Sequence, residues 1–315
     1  LIRHRFSLEF TMNRLLTVSL LALAVGASFG SPMAFAATPI DQTRPLDPRG
    51  RIEIDNLKGR IQVQAWDRNE VHITGSLGEG VERLVIDGSG DHLEVRVQYP
   101  KQIGVWRGDH TGPTDLQLQV PLRAALDINS VSADVDVGGV APSDLSIDTV
   151  SGTVTVAAAP EHADINSVSG PLQVTVNSPD VKVESVSGAV TLRGHLNGQV
   201  HGETVSGRLT VDSLGDRLRR LSTETVSGAV DIHAALADGG EIKSETVSGA
   251  IRLRLPGTVS ARVSGESFSG SLHAPGAKVK KEEFGPGSSF EQRYGSGSGQ
   301  IRLETFSGDV DLTFE

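Results

Sequence analysis

The sequence predicts an all-β fold, a parallel, β-helix-like solenoid whose coils of about 18–21 residues each hold two short strands. Three observations predict it. A Val-Ser-Gly tripeptide recurs at nearly constant spacing, apolar and polar residues alternate on both sides of it, and the composition suits strands and turns. Of 315 residues 36 are Gly and only 4% are aromatic, while Val, Thr and Ser recur in short runs, as strands joined by tight turns require. The length allows one large all-β domain or two smaller ones, and a substantial core.

From Met12 the chain carries Asn13 and Arg14, an apolar run over residues 15–25, and small residues ending in Ala34-Phe35-Ala36. A short charged segment, an apolar run too short to span a bilayer and an A-x-A site together make a secretory signal. Cleavage is expected after Ala36, with Met12 as the working start and residues 1–11 arising from an upstream start assignment. Periplasmic or secreted localisation follows, an uncleaved N-terminal anchor being the alternative. No later run is apolar enough to suggest a membrane span. Loss of residues 1–36 removes Arg3, Arg5, Arg14 and Glu9 and takes the formal net charge from −10 to −12. That charge disfavours nucleic acid and anionic lipid as partners. The chain has no cysteine, which excludes disulfides, thiolate metal sites, thiol nucleophiles and a lipidated cysteine.

Residues 37–125 are expected to form an N-terminal β capping region continuous with the solenoid, a separate small β-sandwich being the competing reading. Residues 52–63 follow a strand, turn, strand plan with Leu57-Lys58-Gly59 in place of the tripeptide. Further strands are expected at 71–74, 83–87, 92–98 and 115–120.

Residues 126–315 hold the repeats. The tripeptide or its variants begin at Val131, Val150, Val168, Val186, Val205, Val226, Val247, Phe268 and Phe306, at spacings of 19, 18, 18, 19, 21, 21, 21 and 38 residues. Self-similarity at such a period marks a solenoid. Pairs such as Leu145/Ile147 and Val181/Val183 before the tripeptide, and Val154/Val156 and Val190/Leu192 after it, place apolar side chains inward on two strands per coil. Gly152, Gly170, Gly188, Gly207, Gly228, Gly249, Gly270 and Gly308 are the structural turn residues, serving through positive φ or through close approach to the next coil. Ser and Thr hydroxyls can satisfy the turn backbone. Variable segments such as 139–144 and 194–199 close the opposite edge.

The final spacing of 38 residues spans two periods. Within it, residues 276–299 carry Lys278, Lys280, Lys281, Glu282 and Glu283 followed by Gly/Ser-rich stretches, which read as a flexible insertion or a long hairpin that folds over an edge or meets a partner, a mobile loop being the plainer form. The last strand, residues 310–314, stops at Glu315 without an obvious cap. An open solenoid end exposes unpaired backbone groups and invites an end-to-end homo-oligomer.

The Ser/Thr-Val-Ser-Gly turns, the opening run from Asn56 to Asp67 and the closing run from Ile301 to Val310 resemble the bacterial β-strand-repeat family known as "putative adhesin", a domain of unknown function. The resemblance covers residues 47–315. It implies a parallel β-helix-like solenoid associated with the cell envelope, and it carries no catalytic residues across.

Two residues before each repeat Val or Phe stand Asn129, Asp148, Asn166, Glu184, Glu203, Glu224, Glu245, Glu266 and Glu304. In a regular stack these form an outward ladder with rungs about 4.8 Å apart. Carboxylates at that spacing repel unless cations bridge them or Lys and Arg neutralise them. Glu184, Glu203, Glu224, Glu245 and Glu266 are therefore candidate ligands of a divalent-cation ladder. The structural alternative is a solvated face helped by Lys182, Lys243, Arg252 and Arg254.

The nine histidines, including the closest pair His195 and His201, show no metal-ligand spacing and read as surface residues. The repeated serines lack a Gly-x-Ser-x-Gly setting. Trp66, Trp106 and Tyr99 could stack on sugars, although packing is the commoner role for such residues. No catalytic or cofactor-binding residue is identified. The function expected is that of a non-enzymatic, exported cell-envelope scaffold or adhesin-like binding surface for an envelope protein or cell-wall glycan. A polysaccharide-active lyase or hydrolase is the enzymatic alternative, and it requires a non-repeating carboxylate cluster with a basic residue. An end-to-end self-assembling structural protein is the third reading.

Overall fold

The computed structural model describes residues 38–100, 111–283 and 285–315. The expected signal sequence and Trp106 lie outside the described residues. Every regular element among the described residues is a β-strand, and all of them join one mixed sheet. Ala37–Glu315 forms one compact unit.

Alternation dictates the core. Leu145, Ile147, Ala163, Ile165, Val181 and Val183 before the turn, and Val154, Val156, Leu172, Val174, Val190 and Leu192 after it, are all buried. The two strands of each coil thus close on one apolar interior, with the polar partners of the alternation facing water.

Successive coils pair in parallel and in register. Asp144–Thr149, His162–Ser167 and residues 180–185 stack on one another before the turn. Val154–Ala158, Leu172–Val176 and Val190–Arg193 stack after it. Residues 51–64 pair in parallel with 125–138, setting Gly59 opposite Ala133, so the N-terminal region joins the same ladder. The expected strands of that region lie within Glu70–Leu77, Arg83–Gln98 and Thr114–Pro121.

Stacking order departs from chain order at both ends. The strands at residues 92–96 and 114–121 lie outside the coil of 51–66, on the far side from 125–138. At the other end Gly299–Thr305 pairs with residues 241–246 on one side and with Ala261–Ser267 on the other. Val310–Phe314 likewise lies between Ile251–Leu255 and Leu272–His273. The last repeat is therefore interior, which corrects the expectation of an open end at Glu315.

The insertion takes the hairpin form and lies over an edge. Ser288–Tyr294 pairs antiparallel with Ala261–Ser267 and covers the outermost coil, and Lys280–Lys281 pairs onto that strand in turn. Phe290 is buried against Gly265, giving the cap an apolar anchor where a Cβ would not fit. At the opposite end Glu70–Leu77 pairs antiparallel with both 115–119 and 38–45. Pro39 and Pro45 lie on that final edge, and Lys280 and Lys281 on the other. Proline and lysine on an edge discourage further strand addition.

The repeated glycines fit the second of their two expected roles. None of Gly152, Gly170, Gly188 or Gly207 has positive φ. A Cβ on Gly170 would lie well under 3.0 Å from the carbonyl oxygen of Gly152, and one on Gly188 would meet Gly170 in the same way. The glycine corners form a continuous row in which each backbone rests on the one before.

Candidate binding site on the turn edge

Each corner is built from an outward, inward, outward sequence. In the coil of residues 180–193, Glu184 points out, Ser185 is buried and Val186 is exposed, and then Ser187 and Gly188 complete the turn. The buried hydroxyl has a defined task. Ser185 Oγ accepts a hydrogen bond from Gly188 N at 2.9 Å, as Thr204 does from Gly207 at 3.0 Å and Thr246 from Gly249 at 2.9 Å. Thr225 donates to Gly228 O at 2.8 Å. These bonds satisfy turn groups that would otherwise be buried unpaired. The exposed serine ties coils together, since Ser187 N donates to Val168 O at 2.9 Å and its hydroxyl to the same oxygen at 3.2 Å.

Stacking multiplies this corner into a long furrow with two walls and a floor. One wall is the ladder Asp55, Asn129, Asp148, Asn166, Glu184 and Glu203, continuing through Glu224, Glu245, Glu304 and Glu266. The floor is the row of buried Ser and Thr. The other wall is apolar: Leu57, the seven repeat valines from Val131 to Val247, Phe306 and Phe268 are each 42–57% exposed. Phe268 and Phe306 stack face to face with centroids 4.7 Å apart. The furrow has two adjoining parts of about 820 and 700 Å³ that share Glu203. Tyr99 lines the first part and donates to Asn56 Oδ1 at 2.7 Å.

The five glutamates expected to align do so, but Glu304 stands between Glu245 and Glu266. Neutralisation comes from the preceding outward position of the same strand. Lys182 lies 2.9 Å from Glu184, Lys243 2.8 Å from Glu245, and Arg302 3.5 Å from Glu304. Its hydrogen bond to Glu184 raises the pKa of Lys182, with the charges of Asp164, Glu184 and Glu203 adding to the effect. Lys243 is raised in the same way by Glu245, then by Glu224 and Glu304. Glu224 and Glu266 have Ser222 and Ser264 in that place. Arg252 and Arg254 do not serve this ladder. They pair with Asp231 and Glu315 on the other face, each at 3.2 Å.

His201 enters the ladder unexpectedly, with Nε2 3.9 Å from Glu184 and 3.9 Å from Glu203. The three ligand atoms lie within 4.8 Å of one another. His195 instead pairs with Asp216 at 3.2 Å. Trp66 stacks on His72 at 5.9 Å with Arg68 over its ring and donates to Glu70 O at 2.7 Å, so its faces are already engaged.

A second polar cluster, which does not repeat along the chain, lies on the after-turn face around a hollow of about 260 Å³. Asp231 takes Arg208 at 2.5 Å and Arg252 at 3.2 Å, and His233 bridges Asp212 and Glu315 at 3.4 and 3.1 Å. The sequence reading identified only repeating carboxylates and missed this group. Asp231 and Glu315 are held by arginines of neighbouring coils, an arrangement that ties coil to coil.

The Toastrack DUF4097 family model matches residues 50–313. The chain belongs to the Toastrack family. The match spans both furrow walls, the Glu70–Leu77 strand and the C-terminal cap, and leaves out the edge strand at residues 38–45. No curated protein matches this Toastrack chain. Among solved structures it is similar to a "putative adhesin" from Parabacteroides distasonis ATCC 8503, at 12% identity and TM-score 0.48, covering 88% of this chain and 98% of that one. A "putative lipid binding protein" from the same organism matches at 12% identity and TM-score 0.49, covering 87% and 96%. An adhesin-named structure from Parabacteroides merdae ATCC 43184 matches at 14% identity and TM-score 0.42, covering 88% and 96%. Likenesses this distant transfer neither ligand nor role.

Proposed function

We propose that this Toastrack protein is an exported, non-enzymatic cell-envelope protein, a parallel two-stranded solenoid whose turn edge is a linear binding surface for an envelope protein or cell-wall glycan. One observation carries the reading. A large apolar side chain stands about half exposed at the same corner of ten successive coils. The turn itself does not require it, because the hydrogen bonds of the corner come from the flanking Ser or Thr and from backbone. Mutual stacking along the row accounts for the covered half of each side chain. The half left in water forms a contiguous apolar strip, and such strips mark interaction sites.

The same corner chemistry in every coil suits adhesion along a line better than turnover at a point, which supports the non-enzymatic reading. Export rests on the secretory pattern of residues 12–36.

The test compares immobilised protein with a Val168→Ser/Val186→Ser/Val205→Ser variant, each incubated with solubilised envelope and cell-wall fragments. Retention of a defined protein or glycan by the native chain and its loss in the variant is the expected result. Equal retention by both would overturn the reading. Turnover of acidic polysaccharide by the purified protein would overturn its non-enzymatic part.

A further inference from the structure

We infer that the occupant of the furrow is an extended, cationic amphipathic polypeptide segment, laid along the stack with its basic residues toward the Phe268 and Phe306 end. The inference rests on the furrow being the binding surface and adds the chemistry of what fills it.

The walls dictate that chemistry. They arise from outward residues two apart on a strand, so they stand about 7 Å from each other. That width admits one extended chain, whereas an α-helix with side chains is about 10–12 Å across. An occupant must present apolar side chains to the valine wall and positive charge to the carboxylate wall. The floor adds little, because its hydroxyls are committed to their own turns. The polar surface left to an occupant is mainly carboxylate, which favours a cationic partner.

Charge complementarity also selects against a second copy of the chain and an anionic lipid surface. Two furrows face to face would oppose carboxylate to carboxylate when antiparallel and bury carboxylates against valines when parallel, and anionic headgroups would be repelled by the acidic wall.

The furrow is graded along its length. Its first part has Asn129 and Asn166 among the acids and valines opposite them, whereas its second has Glu203, Glu224, Glu245, Glu304 and Glu266 facing valines and then phenylalanines. Glu282 of the cap adds another carboxylate at that end. Glu224 and Glu266, which have serines where Lys182, Lys243 and Arg302 stand in other coils, are the acids best placed to meet ligand cations. Arginine or lysine in this part also has the stacked Phe pair beside it, a favourable cation–π setting. The gradient gives the occupant a direction.

The probe is a fluorescein-labelled synthetic peptide of alternating lysine and leucine, titrated with the full chain and read by fluorescence anisotropy. Saturable binding that weakens with salt is expected. Glu224→Gln/Glu266→Gln should weaken it about fivefold and flatten the salt dependence. Val168→Ser/Val186→Ser should weaken it about tenfold. All four substitutions are at exposed or half-exposed positions, and unchanged circular dichroism verifies the fold. A photo-crosslinker on a peptide with its lysines grouped at one end should label the Phe268 side when placed beside the lysines.

Three results would overturn the inference: no binding, equal binding of a lysine–serine peptide, or equal binding of a glutamate–leucine peptide. Labelling spread evenly along the furrow would overturn the direction. If the peptide fails while valine-dependent retention of a glycan persists, the furrow remains a binding surface and only the cationic polypeptide is refuted. If retention is also unchanged by the valine substitutions, both readings fail together.

Discussion

Replacing Gly170 with alanine should destabilise the stack by about 3 kcal/mol, although Gly→Ala at a backbone conformation open to alanine ordinarily stabilises. Gly170 is not in a positive-φ conformation, so the new methyl meets no conformational objection. It meets the backbone of Gly152, whose carbonyl oxygen would lie well under 3.0 Å away. That oxygen cannot swing aside like a side-chain tip. The adjoining Ser169 holds the coils together through N and Oγ bonds to Val150 O at 2.8 and 3.0 Å. Parting the coils by about 1 Å would stretch both beyond useful hydrogen-bond length. Each bond contributes about 1 kcal/mol net, and a group left buried without a partner costs about 1–3 kcal/mol more. Reduced freedom of the unfolded chain returns about 0.4–1 kcal/mol. Gly239→Ala is the control, since Gly239 has φ 71° but open space around its Cβ position, and should lose only about 1–2 kcal/mol to left-handed strain. Urea melts followed by circular dichroism measure both, and amide exchange across residues 162–193 locates the damage. If Gly170→Ala proves no more harmful than Gly239→Ala, close backbone approach does not explain the glycine row.

The remaining predictions concern the floor, the cap and one titrating edge. Ser185→Ala removes the acceptor of Gly188 N, bonded at 2.9 Å, and should cost about 1–2 kcal/mol in the same melts. Ser187→Ala on the exposed side should cost less than about 1 kcal/mol. Replacing residues 276–298 with a short linker uncovers the Ala261–Ser267 edge and should produce concentration-dependent self-association by sedimentation. A strictly monomeric deletion variant would contradict the capping role. The hydrogen bond that the His72 ring donates to the Asp41 carboxylate, assisted by Gln119, raises the pKa of His72 above 6.5. A raised folded-state pKa makes its stabilisation complete below pH 6.5 and lost as pH climbs through the folded value. Amide exchange in residues 38–45 should therefore quicken over that rise, and Asp41→Asn should bring the His72 NMR titration back toward 6.5. No downward shift in Asp41→Asn would show that Asp41 is not the cause.

Much of the architecture was legible because two periods are superimposed. Alternation sorted Val181 and Val183 inward, and the recurrence of the tripeptide set Gly152, Gly170 and Gly188 in one row. The exposure of Val168 and Val186 was legible too: counting out from Ile165 places Asn166 outward, Ser167 inward and Val168 outward. Treating the tripeptide only as a turn hid that parity. The same counting, carried across one coil, brings His201 beside Glu184. Stacking order at the ends was not legible, because strand partners such as Glu245 and Glu304 are 59 residues apart in the chain and nothing local distinguishes them from Glu245 and Glu266. The cap was obscured by composition. Its Gly/Ser content signals mobility, whereas its position is set by Phe290 filling the space left by Gly265.

The inward return of the chain at both extremities has a consequence for how this architecture changes over generations. A duplicated coil appended at either terminus would fall beyond a finished lid and disrupt it. A copy inserted among residues 144–233 would leave both lids untouched and lengthen the furrow by one increment of about 4.8 Å. The reach of the ligand groove is thus adjustable in whole steps, like a telescoping ruler, independently of what seals its two ends.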